Sequence, residues 1–215
     1  MIALVDYGMG NLRSVEKALQ RVGAKVRIAR DAKALSEADR VVMPGVGAFG
    51  DCMRNLENQG LIEPLKQFIG SGKPFLGICL GYQALFEKSE EADRAAGLGI
   101  FKGNVIRFPA NSGLKVPQIG WNQITQPSAF SLQPSAFESC PLLRGVDEGS
   151  YVYFVHSYFP DPSDRGLVCA ETEYGTRFAS MIWRDRIFAT QFHPEKSQEI
   201  GLKILENFVR LQTSR

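Results

Sequence analysis

Histidine is scarce in this chain, two in 215 residues, and cysteine is little commoner, with four. The cysteines stand at 52, 79, 140 and 169 without any C-x-x-C spacing, too sparse for a disulfide framework and wrongly spaced for a zinc site. No metal and no cofactor is expected. Charge of one sign is not in surplus either: the formal net charge is +2, with acids and bases dispersed, which gives no reason to expect nucleic acid or a membrane as a partner. Long apolar runs are missing. The opening stretch Met1-Ile-Ala-Leu-Val meets an acid at Asp6, far short of a signal peptide or a spanning helix, so a cytoplasmic protein is expected. A reducing compartment also suits a free, chemically active thiol. No linker-like stretch divides the chain, and 1–215 is expected to form one domain.

What is present first is an alternation of apolar strands and amphipathic helices, the pattern of parallel β-α-β units. Strands are predicted over 2–5, 26–29, 40–43 and 75–78. Between them Leu12, Val15, Leu19 and Val22 fall on one helical face, and a helical region runs over about 49–69, interrupted near Gly60. From 104 onward the signal changes to short runs at 105–108, 151–155, 167–170, 179–183 and 187–190, read as antiparallel additions and hairpins that make the second half a mixed sheet. Ile200, Ile204, Leu205, Phe208 and Leu211 mark a closing helix. The predicted fold class is α/β, an open, mixed, mostly parallel sheet with helices on both faces and function at strand C-termini. One repeat, Gln126-Pro-Ser-Ala-Phe130 and Gln133-Pro-Ser-Ala-Phe137, is too short for a solenoid and sits in a Pro- and Ser-rich segment read as a surface loop over 126–141.

The chemistry concentrates at Lys73-Pro-Phe-Leu-Gly-Ile-Cys79-Leu-Gly-Tyr-Gln83. A short apolar strand over 75–78 is followed by a helix predicted over 80–87, so Cys79 falls at the helix start, where unpaired N–H groups and the macrodipole favour an anion. Gly77 and Gly81 flank it two residues away on each side and remove the β-carbons that would crowd a strained turn of the nucleophile-elbow kind. The alternative is a structural cysteine buried in a core strand. Downstream, the strand over 187–190 runs into Gln191-Phe-His193-Pro-Glu195-Lys196. Pro194 biases His193 toward extended backbone, in which residues i and i+2 share a side, so Glu195 can lie beside His193 and fix its tautomer. The other histidine, His156, lies inside an apolar run and is the weaker candidate base.

Gly77-Ile-Cys79-Leu-Gly81-Tyr-Gln83 with His193-Pro-Glu195 resembles the triad-type glutamine amidotransferases. Pro44-Gly-Val-Gly-Ala-Phe-Gly-Asp51, Val116-Pro-Gln-Ile-Gly-Trp-Asn122, Tyr153-Phe-Val-His-Ser-Tyr158 and Gln191-Phe-His-Pro-Glu-Lys-Ser197 narrow the likeness to the glutaminase subunits of imidazole glycerol phosphate synthases, from Met1 to the closing helix. The resemblance implies a flavodoxin-like fold and a catalytic triad of Cys79, His193 and Glu195 that hydrolyses L-glutamine to glutamate and ammonia. It further implies that ammonia passes to a separate (β/α)₈ cyclase subunit, in a heterodimer that forms imidazole glycerol phosphate in histidine biosynthesis. The glycine-rich turn after the strand over 40–43 supplies amides without bulky side chains, which suits an oxyanion hole. Gly45, Val46 and Leu80 are the residues so assigned. By resemblance Gly47, Gln83, Ser157 and Tyr158 bind glutamine, and Asn11, Gln118, Trp121 and Lys196 face the partner. Two places depart from the family pattern. Gln118 stands where many members carry histidine, and 126–141 is longer than usual. The rivals are the glutaminase subunit of another amidotransferase such as anthranilate synthase, against which Pro44-Gly-Val-Gly and Gly120-Trp-Asn argue, an inactive binding protein on the same fold, and a redox-sensing thiol protein.

Overall fold

The computed structural model describes residues 1–92, 94–109, 113–128 and 135–212. Its first half winds through β1 (Ile2–Val5), α1 (Leu12–Arg21), β2 (Val26–Ala29), α2 (Ala32–Ser36), β3 (Arg40–Met43), α3 (Phe49–Asn58), α4 (Ile62–Gly70), β4 (Phe75–Ile78) and α5 (Leu80–Gln83). The second half adds β5 (Lys88–Ser89), β6 (Gly103–Arg107), β7 (Gln118–Gln123), α6 (Ala136–Ser139), β8 (Tyr151–His156), β9 (Tyr158–Pro162), β10 (Val168–Glu173), β11 (Arg177–Arg184), β12 (Ile187–Thr190) and α7 (Gln198–Arg210). A seven-stranded sheet runs β10-β11-β12-β4-β3-β1-β2. The block from β2 to β12 is parallel, and β11 and β10 extend it antiparallel. Among the parallel strands this is the flavodoxin-like order.

Period-2 alternation splits each strand between two cores. Ala3, Val5, Val41 and Phe75 face α2, α3 and α4 through Leu35, Phe49, Leu56, Leu65 and Phe68. Ile2, Leu4, Val42 and Leu76 face α1 and α7 through Val15, Leu19, Ile204, Leu205 and Phe208. Helices therefore cover both faces, and the near-continuous apolar runs of β1, β3 and β4 reflect burial on both sides.

Three expectations are corrected. Only part of the second half joins the mixed sheet: β10, β11 and β12 do, whereas β5-β6-β9 and β7-β8 form two small separate sheets. The helix predicted over 80–87 stops at Gln83, because an incoming segment takes its next carbonyls: Leu98 donates to Ala84, Ile100 and Phe101 to Leu85, and Gly99 to Phe86. The 126–141 segment is not all loop. Ser135 caps α6 through Glu138 N–H at 3.2 Å while the Glu138 carboxylate accepts from Ser135 N–H at 2.9 Å, a capping box that buries Phe137. Most of the repeat's centre, 129–134, lies outside the described residues.

The β4–α5 turn is steric in origin. A β-carbon on Gly81 would sit 2.0 Å from the Met43 carbonyl oxygen, and one on Gly77 would sit 2.7 Å from the Gly81 oxygen. Gly81→Ala is expected to cost about 1–3 kcal/mol through forced separation of α5 from β3. Gly70→Ala, at the exposed end of α4 with open space around it, should leave stability unchanged or slightly raised. Thermal denaturation of the pair checks this; equal midpoints would show that the turn absorbs the extra carbon.

Candidate active site

At the end of β4 the backbone turns sharply on Cys79, with φ 54° and ψ −104°, a left-handed conformation that a non-glycine residue adopts only when its surroundings impose it. The imposing contacts are the Cys79 N–H to Thr190 carbonyl bond at 2.7 Å, which ties β4 to the end of β12, and the close seat of Gly81 under β3. Cys79 Sγ is brought beside two side chains from beyond β12, His193 and Gln191.

His193 and Glu195 meet at 2.8 Å, Nδ1 to Oε1, with both side chains 2% exposed. Extended backbone alone does not produce this pairing. His193 is extended at φ −100°, ψ 97°, and the chain then tightens into a 3₁₀ turn over Pro194–Lys196, which swings the carboxylate back over the ring. The backbone is pinned on both sides: His193 N–H donates to the Tyr153 carbonyl at 2.9 Å, and Ser197 Oγ donates to the His193 carbonyl at 2.7 Å. His193 Nε2 is buried without a formed hydrogen bond and has the Cys79 sulfur as its electrostatic neighbour. Burial opposes charge on this ring, but the sulfur and then Glu195 outweigh it and raise its pKa to about 10, so His193 is an imidazolium at neutral pH. The other buried cysteines lack such company. Burial pushes the Cys52 thiol up to about 12 and Cys169 well above its ordinary value.

Around the sulfur lies a cavity of about 380 Å³ lined by Gly47, Cys79, Gln83, Ser157, Tyr158 and Lys196. Gln83 is buried, and its amide nitrogen donates to the Tyr158 carbonyl at 2.9 Å and to Gln191 Oε1 at 3.2 Å. Both N–H groups are thereby used, and only its oxygen is left for a ligand. Gly45, Val46 and Leu80 converge at the mouth of the turn, where a β-carbon on Gly45 would lie 2.6 Å from both Tyr7 Oη and Leu80 Cβ. In this arrangement the Leu80 N–H donates to the Gly45 carbonyl at 3.4 Å, so an acceptor faces the place an oxyanion would occupy. A larger hollow, about 740 Å³, lies against α3 and α4 between Arg54, Lys66 and Ala92 and holds none of these groups. Among the described residues no cluster of three or more His, Cys, Asp or Glu can hold a metal.

Of the residues expected at a partner surface, Asn11 caps α1, accepting from Ser14 N–H at 3.4 Å. Trp121 is 45% exposed and packs edge-on to Tyr153 at 6.0 Å, and Lys196 Nζ sits 5.6 Å over the same Tyr153 ring. Gln118 is a correction. Alternation along β7 turns Ile119 and Trp121 outward and Gln118 inward, where it is buried and its amide meets His156 Nε2 at 3.0 Å. His156 Nδ1 meets the Tyr158 carbonyl at 2.9 Å, and burial lowers the His156 pKa to about 3, which keeps it neutral. Sequence reasoning missed two things. One is the exposure of Ile119 and Tyr151 beside Trp121, which makes an apolar patch on β7 and β8. The other is Gln191, whose signal was a lone amide in an otherwise apolar strand end.

Residues 3–211 match the family model described as glutamine amidotransferase class-I. The chain is 49% identical over 213 residues to the imidazole glycerol phosphate synthase subunit HisH of Syntrophotalea carbinolica, covering 97% of this chain and 98% of the relative. It is 52% identical over 208 residues to the protein of the same description from Aquifex aeolicus, covering 96% and 95%. A crystal structure of a glutamine amidotransferase shares the fold with a TM-score of 0.71 at 17% identity, covering 97% of this chain and 99% of that one.

The buried neutral His156 yields a pH dependence. The unfolded chain accepts a proton near pH 6.5 that the folded state refuses until about 3, so the contribution of His156 is complete above 6.5 and is lost as pH falls toward 3. Between pH 7 and 4 the thermal midpoint should fall more steeply in the wild type than in His156→Gln. Parallel slopes would mean that His156 titrates in the fold as it does in water.

Proposed function

The chain belongs to the class-I glutamine amidotransferases and, within them, to the family of imidazole glycerol phosphate synthase subunit HisH, and from that membership we propose how its own residues carry the reaction. The chain is a glutaminase subunit of imidazole glycerol phosphate synthase, acting on L-glutamine in histidine biosynthesis. The observation that carries the mechanism is a cysteine on a positive-φ turn with a 2.8 Å His193–Glu195 pair closing against it.

Cys79 Sγ, paired with the His193 imidazolium, attacks the side-chain carbonyl carbon of glutamine. The carbonyl electrons move onto oxygen. As the tetrahedral intermediate collapses, His193 gives its proton to the leaving nitrogen, and ammonia departs from a γ-glutamyl thioester. Water then attacks the thioester, with His193 taking its proton, and glutamate leaves as the C–S bond breaks. Glu195 holds the ring by Nδ1 and stabilises its charge without accepting the proton. Gln83 Oε1, its nitrogen already committed, accepts from the α-ammonium of the substrate, and the Gly47, Ser157 and Tyr158 backbone closes around the rest. The cysteine is ready while the oxyanion donors are not: the peptide between Gly45 and Val46 has to turn over, freeing Leu80 N–H and replacing the carbonyl by Val46 N–H.

That reversal assigns a task to the partner. The cyclase subunit, in a cytoplasmic heterodimer, docks on the face bearing Ile119, Trp121, Tyr151, Lys196 and Asn11. Trp121 and Lys196 share Tyr153, and the Tyr153 carbonyl and N–H hold His193 and Ser197, so contact there reaches the triad in one step. Ammonia passes directly to the partner's site.

Cys79→Ala should abolish glutamine-dependent synthesis in the complex and leave synthesis from ammonium salts; residual glutaminase near the wild-type rate would remove Cys79 from the role. His193→Ala should cost more than Glu195→Gln at saturating glutamine, since one removes the proton carrier and the other only its support; the reverse order would exchange their roles. The isolated chain should turn over glutamine ~10²–10³-fold more slowly than the ligand-bound complex, the usual effect of an oxyanion donor. Equal turnover with and without partner would show that the Gly45–Val46 peptide needs no reversal.

A further inference from the structure

Gln191 follows β12 directly and is completely buried. Its Nε2 lies 3.5 Å from Cys79 Sγ, and its Oε1 accepts from Gln83 Nε2 at 3.2 Å. We propose that Gln191 is the hydrogen-bond donor that holds and charges the reacting sulfur, and that its polarity is dictated by a buried chain running from Gln118 through His156, the Tyr158 carbonyl and Gln83.

The direction of every bond in that chain follows from one group that can only accept. The Tyr158 carbonyl takes His156 Nδ1 and Gln83 Nε2, each at 2.9 Å, so the ring carries its proton on Nδ1 and Gln83 turns its NH₂ inward. Neutral His156 then keeps a lone pair at Nε2, 3.0 Å from the Gln118 side-chain amide, whose oxygen faces the ring as placed and has to turn over to present its nitrogen there. The second N–H of Gln83 reaches Gln191 oxygen, and an amide bonded through its oxygen has its NH₂ on the opposite branch, against the sulfur. Gln191 is thus unable to act as an acceptor toward a thiol proton; it stabilises negative sulfur over neutral sulfur. Gln191 itself is fully buried, so its amide is fixed against the sulfur on the side away from the cavity mouth. The ionisable groups that feel the charge of the sulfur are His193 and Tyr7, and Gln191 is the neutral donor among its neighbours. The same chain ties the sulfur to Gln83, so substrate binding and nucleophile orientation are set by one network.

The inference rests on Cys79 being the nucleophile, and the experiment separates the two claims. In the complex, Gln191→Met keeps length and loses both donor and acceptor; Gln191→Glu keeps an acceptor for Gln83 and puts a carboxylate where the donor stood. Alkylation of Cys79 by iodoacetamide without glutamine, followed by peptide mass spectrometry, reads the sulfur alone; steady-state kinetics read kcat and KM. Both variants should alkylate about tenfold or more slowly, as loss of a bond to a charged group implies, with Gln191→Glu the slower. In Gln191→Glu the loss should fall on kcat, with KM within about twofold of wild type. If Gln191→Met does not fold, the isosteric Gln191→Glu decides alone. Unchanged alkylation, or a loss confined to KM, overturns the role of Gln191. Wild-type turnover that survives stoichiometric alkylation of Cys79 overturns the nucleophile itself, and with it this inference.

Discussion

The structure depends on how closely α5 approaches β3. Gly81 lies so near the Met43 carbonyl that no side chain fits between them, and this contact, with Gly77 beneath, fixes the height at which the chain leaves β4. Everything chemical follows from that height. It forces Cys79 into positive φ, lifts the sulfur above the ends of the parallel strands, and puts Gly45 against Leu80. A strained residue persists only where its surroundings over-determine it, and here two cores meet beneath the turn, with Leu80 packed in one and Ile78 in the other.

The polar groups around the turn are buried with little solvent to correct them, so each must be satisfied by its neighbours or act on something. Gln118, His156, Gln83 and Gln191 satisfy one another in sequence. His193 Nε2 and Glu195 Oε2 remain without hydrogen-bond partners. An open position in an otherwise closed network is costly, and two such positions lie on the His193–Glu195 pair. The two histidines illustrate the range of one side chain: in similar burial, one is held neutral by desolvation and the other charged by its neighbours.

Much of this was legible in the residues. The parallel half reads directly, because strands buried on both faces are continuous apolar runs and the helices between them are periodic; β1 to β4 fall where expected. Short polar strands such as β5 and β7 were not legible, since nothing in Lys88–Ser89 marks a strand before β6 lies alongside it. The helix after Cys79 was overestimated because local sequence cannot show that residues 98–101 will take the carbonyls of 84–86. The pairing of His193 with Glu195 was readable from spacing, though the 3₁₀ turn that produces it was not. Gln118 was misplaced because its face on β7 is fixed by register with β8, a long-range fact.

The bond between Leu80 N–H and the Gly45 carbonyl also sorts inhibitors. A reagent that alkylates sulfur by displacing a halide, such as a haloacetamide, develops no alkoxide at the turn and meets no obstacle there. An aldehyde or activated nitrile builds charge on an atom that would face a carbonyl dipole of the same sign. On the proposed mechanism the free subunit should therefore react with the first class and resist the second. The ratio of the two rates measures, in a single tube, which way one peptide plane is facing.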